Sequence, residues 1–150
     1  MKTRSLVLLA ALCPPVLALA GEYTYRQLRL AKANDEENRL EATRMFSLGP
    51  VGWVGRPTEE EHQFQAILAL ERGEAKQKLE KLYTSGNPQA MSYALAGMRK
   101  LDRKRYSQLL VSARGSDLSV TTMRGDIMSR EKLRTVADEI DSGIYDVWLR

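Results

Sequence analysis

A mainly α-helical domain with one short β-hairpin is the fold class this sequence predicts, and three observations carry it. Apolar residues recur at helical spacing in successive runs of about 10 to 14 residues. Short clusters of Gly, Asn, Pro and Asp separate those runs. Only the stretch 118–128 changes to strand-like alternation. Short connections of this kind join antiparallel or orthogonal helix neighbours, so a small domain of packed helix pairs is expected.

The first twenty residues read as an export signal. Lys2 and Arg4 form a positive head, and the apolar run Ser5–Leu17 is interrupted only by Ser5 and the Pro14-Pro15 pair. Ala18-Leu19-Ala20 places small residues where a signal peptidase reads, so cleavage before Gly21 is expected, with 1–20 as signal peptide and 21–150 as one domain. The run falls short of the roughly 20 residues that span a bilayer. An uncleaved anchor is the alternative, and a lipoprotein is disfavoured because Leu12 and Pro14 flank Cys13. Lys2 and Arg4 hold the N-terminus in the cytoplasm either way, so the body is expected in the periplasm or secreted. Cys13, the only cysteine, leaves with the signal, so the remainder has no disulfide or thiolate chemistry. Two basic residues leave as well, and the net charge falls from +4 to +2. That balance gives no reason to expect nucleic acid as a partner.

Along the chain, Glu22–Leu30 fits either a strand or the start of an amphipathic helix. Asn34-Asp35 predicts an N-cap, with Leu40, Met45 and Phe46 on one face of a helix reaching about Leu48 and stopped by Gly49. GPVGWVGRP must be a loop. Thr58 and Glu61 form a capping box for the next helix, with Phe64, Ile67 and Leu68 inward and Arg72-Gly73 closing it. Glu74–Tyr83 repeats the pattern through Leu79, Leu82 and Tyr83. Asn87 and Pro88 then supply a cap and a first-turn proline for Gln89–Leu101, the most apolar helix and the expected centre of the core. Asp102 caps another helix, with Tyr106, Leu109 and Leu110 inward. Leu118, Val120 and Thr122 alternate before a turn at Arg124-Gly125, which suggests the hairpin near 118–128. Ser129 is the expected cap of a last helix carrying Leu133, Val136, Ala137 and Ile140 and ending at Gly143. The tail Ile144–Arg150 is apolar enough to dock on the core or on a partner.

The stretch 74–110 resembles HEAT-type helical hairpins in its pattern. VGWVGRPTEEEHQFQAIL together with YALAGMRKLDRKRY is also similar to small exported bacterial proteins of unknown function. That resemblance implies a helical fold and supplies no activity.

Candidate chemistry is sparse. His62, the only histidine, follows Glu59, Glu60 and Glu61, which invites a metal or general-base reading. Consecutive residues fan around a helix, however, and a zinc site needs three or four convergent ligands. The alternative is a capped, solvated helix start, so neither metal nor cofactor is expected. No GxSxG elbow is present. Glu61, Glu71, Glu74 and Glu80 could serve a glycosidase only if a cleft gathered them. Arg99, Lys100, Arg103, Lys104 and Arg105 crowd one helix-to-helix turn. The last three lie at a helix start, where the dipole disfavours cations, which points to a patch for an acidic partner or anionic lipid headgroups. Arg124-Gly125-Asp126 spells an adhesion tripeptide, but Met123 and Ile127 look partly buried, so a plain turn is expected. Trp53 either folds back over the core or stands out as an anchor with Arg56, the residue pair from which binding hot spots are built. The combined expectation is an exported, non-enzymatic protein-binding module of accessory, inhibitor or immunity type. An envelope hydrolase or metal enzyme using His62, and a peripheral binder of anionic membrane using the basic turn, are the alternatives.

Overall fold

The computed structural model describes residues 13–149, so the basic head and the front of the apolar run lie outside the described residues, as does Arg150. The chain divides into two units, residues 1–32 and 33–150. Helix α1 (Cys13–Glu41) is continuous through the Ala20–Gly21 junction. This resolves the strand-or-helix ambiguity of 22–30 as helix. In the first unit Tyr23, Tyr25 and Leu28 are exposed, and the Arg29 guanidinium lies 5.9 Å from the Tyr25 ring centre. Among the described residues no helix is long and apolar enough to cross a membrane.

The second unit holds the end of α1, then α2 (Glu59–Leu68), α3 (Arg72–Ser85), α4 (Pro88–Leu101) and α5 (Arg103–Arg114). A hairpin of β1 (Ser119–Arg124) and β2 (Ile127–Lys132), helix α6 (Leu133–Ser142) and a short 3-10 turn at Asp146–Trp148 complete it. The mainly α fold with a short hairpin is therefore as expected. Helix α4 is its centre, packed against α3, α5, α6 and β1, with Tyr93 to Met98 fully buried or nearly so. Its caps form as the side chains dictate. Asn87 Oδ1 accepts from the Ala90 amide at 2.9 Å, Pro88 sits in the first turn, and Asp102 Oδ1 accepts from the Arg105 amide at 3.0 Å to open α5.

Four local expectations are corrected. Asn34 and Asp35 lie inside α1 and cap nothing. Asn34 instead accepts from Lys78, which also pairs with the buried Glu37, and Asp35 pairs with Arg39 one turn on. The helix stops at Glu41, well before Leu48, because the next segment joins the sheet. The Phe46 amide donates to Thr121 O at 2.8 Å, and the Met123 amide donates to Phe46 O at 3.0 Å. Phe46 and Thr122 are thus neighbours in a parallel bridge, with Phe46 in the core. Arg72-Gly73 opens α3 and does not close α2, which ends at Ala69. Ser129 lies within β2. The hairpin runs on to Lys132, and the Leu133 amide donates to Leu118 O at 2.9 Å, so the strand passes into α6 with no side-chain cap.

In register, Val120 and Thr122 face the core while Met123 pairs with Met128 on the other face. The tail docks internally: Tyr145 is buried edge-on to Phe46 at 5.4 Å, and Gln65 Nε2 donates to Trp148 O at 2.7 Å.

Candidate functional site

The segment 49–57 is a miniature hairpin held against the sheet. Val51 and Arg56 exchange backbone hydrogen bonds of 3.0 and 3.2 Å, and the Gly55 amide closes the turn on Gly52 O at 3.0 Å. Gly52 and Gly55 have φ of 71° and 61°, values open to glycine, which is why this tip can be so tight. Its two central residues have nowhere to turn but outward. Trp53 is 97% exposed and Val54 is 69% exposed. Of the two readings of Trp53, the one that folds it over the core is overturned.

The tip leans on the turn of the other hairpin. The Gly52 amide donates to Gly125 O at 3.2 Å, and Val51 bridges Gly125. Just past that turn Ile127 is 70% and Met128 62% exposed, contrary to the partly buried Ile127 that the sequence suggests. Two neighbouring turns therefore present four large apolar side chains to solvent. Arg124 of the tripeptide is exposed but paired with Glu131 and Glu139, so that turn offers no free arginine.

Behind the tip lies a cleft of about 370 Å³. Gly49, Pro50, Gly55 and Pro57 wall it on the loop side, Glu61, His62 and Gln65 on the α2 side, and Trp148 from the tail. Gly49 is the hinge of the arrangement. Its φ is 106°, and a Cβ there would come within 3.0 Å of the Trp148 indole, so a larger residue would push tail and loop apart. Thr58 Oγ1 accepts from the Glu61 amide at 3.1 Å, one half of the expected capping box. The other half is absent. The Glu61 carboxylate turns away from the cap, and its Oε2 accepts from the Gly49 amide at 2.9 Å. Glu61 is consequently buried, a correction to the solvated helix start, while His62 is exposed at the edge of the cleft. The chain entering the loop is anchored by Tyr93, whose hydroxyl accepts from Ser47 N at 3.0 Å and donates to Ser47 O at 2.9 Å. Burial raises that phenol well above its ordinary pKa.

Two of the five cations of the basic turn are engaged within the fold. Arg99 is buried and makes two bonds to Asp146, at 2.9 and 2.8 Å, with the Tyr106 ring 6.0 Å away. Arg105 grips Glu80 at 2.9 and 3.2 Å and Gln108 at 2.8 Å. Asp102 draws Lys76 close, and that contact with the Arg105 amide holds its carboxyl below the usual range. Lys100, Arg103 and Lys104 are left exposed, and none of them approaches the cleft lining.

Among the described residues no cluster of three or more His, Cys, Asp or Glu could hold a metal ion. His62 and Glu61 are brought to one cleft, Trp53 and Arg56 to the loop beside it, and the basic turn to neither. Trp148 and Gln65 escape a reading of the sequence. The apolar tail is the one available signal for Trp148, and nothing local marks Gln65. No protein-family profile matches the chain, and neither curated proteins nor solved structures yield a similar protein.

Proposed function

We propose that this chain is an exported, non-enzymatic protein-binding module, an accessory, inhibitor or immunity-type factor of the bacterial envelope. Its recognition element on this reading is the loop Gly49–Arg56 with the adjoining turn of the β-hairpin. The observation that carries the reading is the 97% exposure of Trp53 on a tip whose backbone is pinned by its own bonds and by Gly125. A mobile tryptophan in water would lose much of its binding contribution to ordering, whereas a preset one does not. Val54, Ile127 and Met128 widen the apolar surface around it, and Arg56 is an exposed cation at its base. Aromatic and arginine side chains are the common anchors of protein interfaces.

The test is capture of envelope proteins on the tagged full chain, comparing the native sequence with Trp53→Ala and His62→Ala. One stoichiometric partner should be lost with Trp53→Ala and kept with His62→Ala. Identical capture by the Trp53→Ala chain would remove the loop from the reading.

A second reading, an envelope hydrolase, draws on the meeting of Glu61 and His62 in one cleft. It requires His62→Ala to abolish turnover of a cell-wall substrate in a folded protein. The third reading, attachment to anionic lipid through the basic turn, retains only the exposed Lys100, Arg103 and Lys104, since Arg99 and Arg105 are engaged by Asp146 and Glu80.

A further inference from the structure

Glu61 stands out among the acidic residues. It is buried at 8% exposure, and among the described residues its carboxylate receives one hydrogen bond, from the Gly49 amide. Among the described residues no lysine or arginine lies within ion-pair distance of it. Glu37, the other buried glutamate, contrasts with it, since Lys78 and Lys81 both contact its carboxylate. A carboxylate can accept about four hydrogen bonds, and no Glu61 oxygen is a sealed, unpartnered atom, so the oxygen that Gly49 does not engage stays open to the cleft. The start of α2 provides partial compensation through its dipole, but that is a fraction of a charge.

The cleft surrounding this carboxylate has a definite chemistry. Pro50, Pro57 and Trp148 make its walls largely apolar. Arg56 does not neutralise it. On an extended chain neighbouring side chains point to opposite faces, and Pro57 is the one that lines the cleft. An ammonium ion alone would leave the apolar walls uncovered, and an apolar group alone would leave the charge unmatched. A basic side chain satisfies both, because its aliphatic stem covers the apolar walls while its head meets the Glu61 carboxylate. The volume of about 370 Å³ is at the small end of ligand clefts and suits one long side chain.

We infer that the cleft receives an arginine or lysine side chain of the protein partner, with Glu61 as its counter-ion and Trp148 as its wall. This rests on the protein-binding reading, and it gives the partner a chemistry: a basic residue set beside an apolar surface that meets Trp53.

The test needs no identified partner. The full chain, labelled with nitrogen-15, is titrated with N-acetyl-arginine amide, with N-acetyl-lysine amide and with the neutral, similarly long N-acetyl-norleucine amide. The Gly49 amide and the Trp148 indole N–H report on the cleft, and Trp53→Ala identifies which of the two indole signals belongs to Trp148. The basic amides should give saturable shifts at both positions, and the norleucine amide should bind at least tenfold more weakly. Glu61→Gln, which keeps an acceptor for Gly49, should weaken the arginine amide about tenfold. Equal binding of the norleucine amide, no saturable shift with either basic amide, or full binding to a folded Glu61→Gln chain would each overturn the inference. The comparison of charged and neutral amides uses the native chain, so its outcome does not depend on the variant folding. Because the probes bypass Trp53, loss of the loop reading in the capture experiment and loss of the cleft reading here are separate results.

Discussion

Arg99 illustrates how a charge that reads as surface becomes structural. In the sequence it is the first of five cations at a turn, and nothing nearby announces Asp146. In the fold its guanidinium closes a two-pronged bond that holds the tail against α4 and α6. Replacing it with alanine should cost about 2 kcal/mol in urea unfolding, the scale of hydrogen bonds to a charged group, discounted because Asp146 is half exposed. The freed tail should also shift Trp148 fluorescence to the red. Tyr145 offers a test by pH. Burial pushes its phenol up to about 12, against about 10 in an unfolded chain. A folded-state pKa raised in this way stabilises the fold fully below pH about 10 and loses that contribution as pH climbs towards about 12. Urea midpoints should therefore fall across that window, and Tyr145→Phe should flatten the fall. An unchanged alkaline slope in the variant would assign the loss to other groups.

At the scale of elements, the sequence is readable wherever the deciding contacts are local. Thr58, Asn87 and Asp102 cap the helices that follow them because a side chain and an amide three residues away settle the matter. Where a distant partner decides, the pattern misleads. Leu40, Met45 and Phe46 keep helical spacing, yet Phe46 is taken by Thr121 and Met123 of the sheet. Ser129 resembles a cap but is already claimed by the register with Thr122. The close packing of α4 gives a sharp prediction. A Cβ on Gly97 would meet Leu79 Cδ1 at 2.7 Å and Phe64 at 3.1 Å, both fully buried. Gly97→Ala gains up to about 1 kcal/mol of helix propensity and loses about 1–3 kcal/mol to overpacking. The net expectation is destabilisation by about 1 kcal/mol, measured as a lower thermal midpoint; a rise would mean that Leu79 and Phe64 yield easily.

For the molecule as a whole, the helical core and the loop are legible in the sequence, whereas the cleft is not. Its walls come from residues far apart in the chain, and the Gln65–Trp148 bond that closes it joins positions 83 apart. No spacing rule reaches that far. Function and stability should accordingly separate: Trp53→Ala and Ile127→Ser touch no core contact and should change unfolding free energy in urea by less than about 0.5 kcal/mol, while weakening capture of the proposed protein partner. A large loss of stability would mean these side chains pack where the exposure places them in solvent. The bridge between Phe46 and Thr122 also sets an order of events in time. Helices α3, α4 and α5 follow one another through short links and can pair early, but the strand that carries the loop must wait for a hairpin about half the chain away. Contact separation therefore predicts that the helical body forms first and the 49–56 loop last. On the protein-binding proposal, a refolding chain should capture its partner only after the final strand is in place, which stopped-flow Trp53 and Trp148 signals of single-tryptophan variants would check.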